Sequence, residues 1–137
     1  MDAFDYREQS VQEALADGID VFFDNVGGAQ LEAALNALRP FGRVIACGAI
    51  SRYNDERPEP GPSNLHFIVT KRLRMQGFIV SDHVDRYPPV LAEVAPWVAA
   101  GQLQYRETIL DGIENVPKAF AGLFRGDNTG KMLVRLA

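Results

Sequence analysis

The amino-acid sequence contains little cysteine, no long apolar run and no excess of positive charge. Its 137 residues include one cysteine, Cys47, which excludes an intrachain disulfide framework and a zinc site built from several cysteines of this chain. No apolar run approaches the roughly 20 residues that a membrane-spanning helix requires. The formal net charge is −4, and acidic and basic residues are interspersed, unlike the basic stripe of a nucleic-acid-binding protein. We therefore expect neither a membrane nor a nucleic acid as a partner.

The start of the chain also lacks the pattern of a secretory signal peptide, which is basic and then apolar. The segment from Met1 to Asp5 contains two aspartates and no basic residue. A single cysteine is usual in a reducing compartment. The sequence therefore predicts a cytoplasmic protein, long enough for one domain with a hydrophobic core.

One further absence concerns the spacing of the glycines. A dinucleotide-binding sheet normally opens with a strand, a G-x-G-x-x-G turn and a helix. The chain has 12 glycines but no such motif, and Gly27-Gly28 is not followed by a third glycine at the required spacing. Two interpretations follow: the fold does not bind a dinucleotide, or the chain starts after the glycine-rich turn.

Apolar residues recur with the period of a strand in some segments of the chain and with the period of a helix in others. One helix face is indicated by apolar residues three and four apart, at Leu31, Ala34, Leu35 and Leu38. The short apolar run from Arg43 to Cys47 lies between glycines, which favours a strand buried on both faces. The pattern predicts strands at 19–26, 43–47, 75–80, 104–110 and 131–136. It predicts helices at 8–16, 29–38, 65–69, 86–100 and from 116 to a stop at Gly126.

A segment rich in proline divides the chain. Residues 54–64 contain three prolines and one glycine, which predicts a loop. The order of elements before and just after this loop favours a parallel α/β sheet. The last two predicted strands are more polar, and we expect them outside the main sheet.

The run FFDNVGG, residues 22–28, is the most informative local pattern. An apolar strand ends in Asp24 and Asn25, two glycines follow, and an amphipathic helix begins. In an open α/β sheet, ligands bind beside such strand ends. The pattern predicts a nucleotide-type crevice, although a plain turn explains the pair of glycines equally well.

Five runs together resemble the medium-chain reductases of the prostaglandin reductase and leukotriene dehydrogenase type, a group that includes bacterial NADP-dependent enone reductases of the curcumin reductase type. The resemblance covers essentially the whole chain, in the order and spacing of the family. The matching runs are FFDNVGG (22–28), ACGAISRYN (46–54), RLRMQGFIV (72–80), QLQYRETILDGIENVPKAFAGLFRG (102–126) and GDNTGKMLV (126–134).

The resemblance implies a fold and a domain organisation. Residues 1–137 would form the second half of a Rossmann-type, doubly wound parallel sheet, followed by a C-terminal segment that returns toward a GroES-like catalytic domain. That catalytic domain and the glycine-rich turn would lie outside this chain, so the chain would be a partial NADP-binding domain, inactive alone. The family also implies a zinc-independent enzyme and a homodimer.

The resemblance further implies NADPH-dependent reduction of the C=C bond of α,β-unsaturated ketones or aldehydes, with NADP(H) as the cofactor. A quinone reductase of the same superfamily is the nearest alternative. A truncated, non-catalytic α/β interaction module is an alternative of a different class.

The resemblance also assigns site residues. Tyr53 is expected near cofactor and substrate, where its phenol could bind a ribose hydroxyl or protonate an enolate. Arg7, beside Tyr6, could pair with a 2′-phosphate, which favours NADP over NAD. The residues that match cofactor contacts of the family are Tyr6, Arg7, Asn25, Cys47, Gly48, Ala49, Ile50, Ser51, Tyr53, Phe78, Ile79, Val80 and Asn128.

Each of these residues also has a purely structural interpretation. Asn25 and Asn128 suit turns, Tyr53 could pack on the proline-rich loop, and residues 78–80 could be a core strand. Cys47 is expected to be a small buried apolar residue rather than a nucleophile. Asp24 is expected to accept hydrogen bonds from backbone N–H groups.

Overall fold

The predicted alternation of strands and helices is present in a computed structural model that describes residues 3–57 and 59–136. The chain divides into two compact units, Met1–Val84 and Asp85–Ala137. The first unit contains α1 (Val11–Ala14), β1 (Ile19–Asp24), α2 (Gly28–Ala37), β2 (Leu38–Ala46), α3 (Phe67–Thr70) and β3 (Arg74–Gly77). Short 3-10 helices cover Ile50–Arg52 and Val80–Arg86.

The three strands of the first unit form one sheet in the order β1-β2-β3, and both pairings are parallel. Their carboxyl ends are in register, since Asp24 pairs with Ala46 and Ala46 pairs with Gly77. The prediction of a parallel α/β sheet is therefore confirmed. The register also brings the loops after all three strands to one edge, which we call the carboxyl edge.

The hydrophobic core of the first unit lies between α2 and one face of the sheet. Its buried members come from the predicted helix face, from β2 and from the position just before β3, at Leu31, Leu35, Leu38, Val44 and Leu73. Phe22 and Phe67 pack against this cluster. The helix predicted at 29–38 is confirmed, because it buries the leucines whose spacing predicted it.

The prediction that residues 43–47 form a strand buried on both faces is wrong in its burial. Val44 is 1% exposed, whereas Arg43 and Cys47 are exposed. Side chains alternate between the faces of a strand, so Val44 lies on the face that α2 covers and its neighbour Arg43 on the other. Apolar composition did not show this asymmetry.

The boundaries of the strands also differ from the prediction, chiefly in β2 and β3. β2 begins at Leu38 and includes Pro40, which lies where the register with β1 is irregular. β3 ends at Gly77, so Phe78, Ile79 and Val80 are not strand residues. β2 itself ends opposite Gly77 at Ala46, and beyond that point no strand of the described residues continues the ladder.

The second unit contains α4 (Tyr87–Ala99), β4 (Glu107–Asp111), α5 (Val116–Arg125) and β5 (Lys131–Arg135). β4 and β5 pair in parallel as a separate sheet of two strands. α5 buries Ala119 and Gly122 and ends at Gly126, which adopts the left-handed conformation. The expectation that the last two strands lie outside the main sheet is confirmed. None of the described helices is long and apolar enough to cross a membrane.

Lys71 closes the C-terminus of α2. Its ammonium donates hydrogen bonds to the carbonyl oxygens of Leu35 at 3.1 Å, Asn36 at 2.7 Å and Leu38 at 2.9 Å. The last carbonyls of a helix have no partner within the helix and carry partial negative charge. A half-buried cation therefore satisfies three acceptors at the point where α2 turns into β2.

Replacing Lys71 by methionine is expected to lower the free energy of unfolding by about 2 kcal/mol, because three carbonyls would lose a charged donor. The measurement is chemical denaturation followed by circular dichroism. Lys118→Met removes the same charge from an exposed position of α5 and should change stability by less than about 0.5 kcal/mol. Equal effects of the two substitutions would contradict the capping role.

Candidate functional site

Asp24 organises the turn that follows β1. Its side chain is buried, and Oδ1 accepts hydrogen bonds from the backbone N–H groups of Val26 at 2.9 Å and Gly27 at 2.8 Å. Its carbonyl oxygen accepts from the N–H groups of Cys47 at 2.8 Å and Gly48 at 3.0 Å. The structural role expected for Asp24 is present, and it extends to the loop that follows β2.

The loops after β1 and β2 are joined by further hydrogen bonds. The N–H of Ile50 donates to the carbonyl of Asn25 at 3.1 Å. The carbonyl of Val26 accepts from the N–H of Ser51 at 3.2 Å and from its hydroxyl at 2.6 Å. These bonds place residues 47–51 directly beside Asn25, whose side chain is exposed at the carboxyl edge.

The glycines at this edge allow the two loops to pack closely. A Cβ on Gly27 would lie 3.2 Å from the Cβ of Ala49, and Gly27 also has a φ of 70° that disfavours other residues. A Cβ on Gly28 would lie 3.0 Å from the hydroxyl of Ser51. Larger residues at these two positions would push the loops apart.

Tyr53 folds back onto the same loop. Its phenol oxygen accepts a hydrogen bond from the N–H of Ala49 at 3.1 Å, while the residue is 64% exposed. A Cβ on Gly48 would lie 3.2 Å from the same phenol oxygen. The phenol therefore lies over the Gly48–Ala49 backbone, and the ring does not pack into the core of the unit.

Cys47 is exposed, so the expectation that it is a buried apolar residue is wrong. It is the first residue after β2. Its backbone N–H takes part in the carboxyl edge through Asp24. Among the described residues, no group of three or more His, Cys, Asp or Glu side chains could hold a metal ion.

Phe78 belongs to an aromatic cluster at the carboxyl edge. Its ring centroid lies 5.9 Å from that of Phe23 and 6.1 Å from that of His83. Ile79 and Val80, which follow it, are exposed. Phe23 and His83 are not among the predicted site residues. His83 reaches Phe78 through the 3-10 helix at Val80–Arg86, which no pattern in the sequence indicates.

Tyr6 lies near the start of α2. It lines a groove of about 300 Å³ together with residues of α1 and the first turns of α2. The guanidinium carbon of Arg7 lies 5.8 Å from the centroid of the Tyr6 ring, and Arg7 is exposed. The structure therefore places Tyr6 close to the helix that begins after Gly27.

Asn128 belongs to the second unit, where it lies between α5 and β5. Its side-chain amide donates a hydrogen bond to the carbonyl of Gly130, and this bond stabilises the turn itself. The other predicted contacts lie in the first unit. Asn25, residues 47–51 and Tyr53 form one connected group there.

Comparison with known proteins places this arrangement in a family. A family model described as zinc-binding dehydrogenase matches residues 2–134. A 2-alkenal reductase (NADP(+)-dependent) of Nicotiana tabacum is 42% identical over 99% of this chain and 41% of its own length. The NADPH-dependent curcumin reductase of Escherichia coli (strain K12) is 39% identical over 98% of this chain and 40% of its own length.

A solved structure, CurA of Vibrio vulnificus in complex with NADPH, has the same fold. It superposes with a TM-score of 0.82 at 38% identity, and the match covers 98% of this chain and 41% of CurA. The chain thus spans about two fifths of the length of the relatives that it matches. The resemblance to prostaglandin, curcumin and alkenal reductases is confirmed, and the chain belongs to the zinc-binding dehydrogenase family.

Proposed function

We propose that the protein is an NADPH-dependent reductase of the C=C bond in α,β-unsaturated ketones and aldehydes. The observation that carries the proposal is the carboxyl edge, where Asn25, residues 47–51 and Tyr53 are joined by hydrogen bonds beside the start of α2. Ligands of open α/β sheets bind at such an edge. The names of the tobacco and Escherichia coli relatives supply the chemistry, an alkenal and curcumin as substrates with NADP or NADPH.

The residues of this edge suit a dinucleotide. Gly27 and Gly28 let the two loops pack closely at the N-terminus of α2, and the dipole of this helix favours a negatively charged group there. The Asn25 amide is exposed and can donate and accept hydrogen bonds. We propose that the cofactor is held by Tyr6, Arg7, Asn25, Cys47, Gly48, Ala49, Ile50, Ser51, Tyr53, Phe78, Ile79, Val80 and Asn128.

Arg7 supports NADP over NAD in this proposal. Its exposed guanidinium lies beside Tyr6, which borders the first turns of α2. A guanidinium binds a phosphate through two parallel charge-assisted hydrogen bonds. The ribose 2′-phosphate that distinguishes NADP is the group that Arg7 would bind.

The chain's own residues would orient the substrate and deliver a proton. When bound, the cofactor supplies the reducing equivalents. The exposed apolar residues Ile79 and Val80 would exclude water from the reacting groups. The N–H of Ala49 donates to the phenol oxygen of Tyr53, so the phenol's own O–H is left to donate. We propose that this O–H protonates the substrate enolate and that solvent later restores the proton.

We propose that this activity belongs to a longer enzyme in which residues 1–137 form part of the NADP-binding domain. The support is that the chain spans about two fifths of its relatives. The proposal places none of this chain's residues in a zinc site. A homodimer and a cytoplasmic location stay predictions from the sequence.

The test measures NADPH oxidation, at the absorbance of the reduced nicotinamide, by the complete product of the gene that encodes this chain. Enones and enals should support turnover with a higher kcat/KM than quinones. A faster reaction with quinones would favour the quinone reductase alternative, and no turnover with either class would contradict the proposal. In calorimetry with NADPH, the 137-residue chain alone should show no micromolar binding.

Gly48→Val tests the geometry of the edge. The added side chain would contact the phenol oxygen of Tyr53 and the carbonyl of Asn25, each already 3.2 Å from the Cβ position. We expect kcat/KM for an enone to fall by about tenfold or more, because the phenol is displaced. Gly61→Val is the matched control, since a Cβ there meets nothing within 4 Å. Unchanged kinetics in Gly48→Val would contradict the assignment of this loop.

A further inference from the structure

The proline-rich loop at 54–64 is closed at its base by one side chain, Arg52. One guanidinium nitrogen donates to the carboxylates of Asp55 at 3.2 Å and Glu59 at 2.9 Å. The second donates to the backbone carbonyls of Glu59 at 3.2 Å and Pro60 at 2.6 Å. The Arg52 side chain is only 27% exposed, so these bonds are partly shielded from water.

The far end of the same loop is fastened to α2. The backbone N–H and the hydroxyl of Ser63 both donate to the carboxylate of Glu32. The amide of Asn64 donates to the carbonyl of Glu32 at 2.8 Å and to the side chain of Asn36 at 2.9 Å. Residues 59–62 therefore lie along the start of α2, where they border a groove of about 190 Å³ together with Gly28, Ala29 and Glu32.

Tyr53 is the residue between this closed loop and the carboxyl edge. It directly follows Arg52 in the chain, and its phenol binds the N–H of Ala49. Because the ring is largely exposed, core packing contributes little to its position. Its placement therefore depends on the hydrogen bonds on either side of it.

We propose that Arg52 is a positioning residue that fastens the proline-rich loop to itself, between residues 52 and 60, and thereby holds Tyr53 over the Gly48–Ala49 backbone. The inference rests on the proposed function in giving Tyr53 a role in the reaction. The site requires an arginine, because a planar guanidinium can donate hydrogen bonds to two carboxylates and two carbonyls at once. A lysine would keep the positive charge but lacks the planar set of donors that binds all four acceptors.

The experiment compares Arg52→Met, Arg52→Lys and Arg57→Met in the complete gene product. Arg57 is an exposed arginine of the same loop, so Arg57→Met matches the loss of charge. The first readout is hydrogen exchange of the backbone amides between residues 53 and 61, which needs no activity. The second is steady-state kinetics with an enone, with the KM values for enone and NADPH and kcat measured separately.

In Arg52→Met, exchange of the loop amides should accelerate and kcat/KM for the enone should fall by about 10- to 100-fold. The KM for NADPH should stay within about twofold of the wild-type value. Arg52→Lys should recover only a minor part of the loss, and Arg57→Met should match the wild type in both readouts.

Unchanged loop exchange in Arg52→Met would overturn the proposed fastening. Accelerated exchange with wild-type kinetics would overturn the link to Tyr53. An equal loss in Arg52→Met and Arg57→Met would show an effect of charge alone and would also overturn the proposal. If the wild-type protein reduces no enone, the proposed function fails, while the exchange data still decide whether Arg52 fastens the loop.

Discussion

Asp24 binds four backbone N–H groups from two different loops, and the remainder of the carboxyl edge depends on this arrangement. Its carboxylate holds the turn that leads into α2, and its carbonyl holds the start of the loop after β2. A buried carboxylate that accepts backbone N–H groups is a strong acceptor in a poorly solvated place. Because both loops share one residue, the positions of Asn25 and Gly48 are set relative to each other before any ligand binds.

Stability and function are separated within the first unit. The buried leucines lie on one face of the sheet. Lys71 donates hydrogen bonds to the carbonyls at the C-terminus of α2, which lies away from the carboxyl edge. The functional candidates at the carboxyl edge are largely exposed, Tyr53 and Ile79 among them. Substitutions at the edge should therefore change activity more than stability, whereas those in the core should do the reverse.

Much of the fold could be predicted from local periodicity. The spacing of Leu31 and Leu35 identified α2, and the apolar run around Val44 identified β2, because burial of one helix face or one strand produces a repeating pattern. The parallel sheet and the position of the last two strands outside it also agreed with the prediction. Burial at strand ends did not, since an apolar run such as Arg43–Cys47 does not show which of its side chains the core covers.

The contacts that organise the site could not be predicted, because they join residues that no repeat or motif relates. Arg52 binds acceptors three to eight residues further along an irregular loop, and Glu32 binds Ser63 from another element. Phe78 and His83 meet only because the chain turns at Val80. Sequence comparison identified Tyr53 as a candidate, whereas the structure was needed to find what holds it.

The central claim is that the carboxyl edge of the first unit binds the cofactor. Hydrogen exchange of the complete gene product, measured with and without NADPH, tests it most directly. The account predicts slower exchange at residues 24–28 and 47–51 when NADPH is bound, with no change at residues 71–74, near the amino ends of the strands. Protection confined to other segments, with 24–28 and 47–51 unchanged, would contradict it.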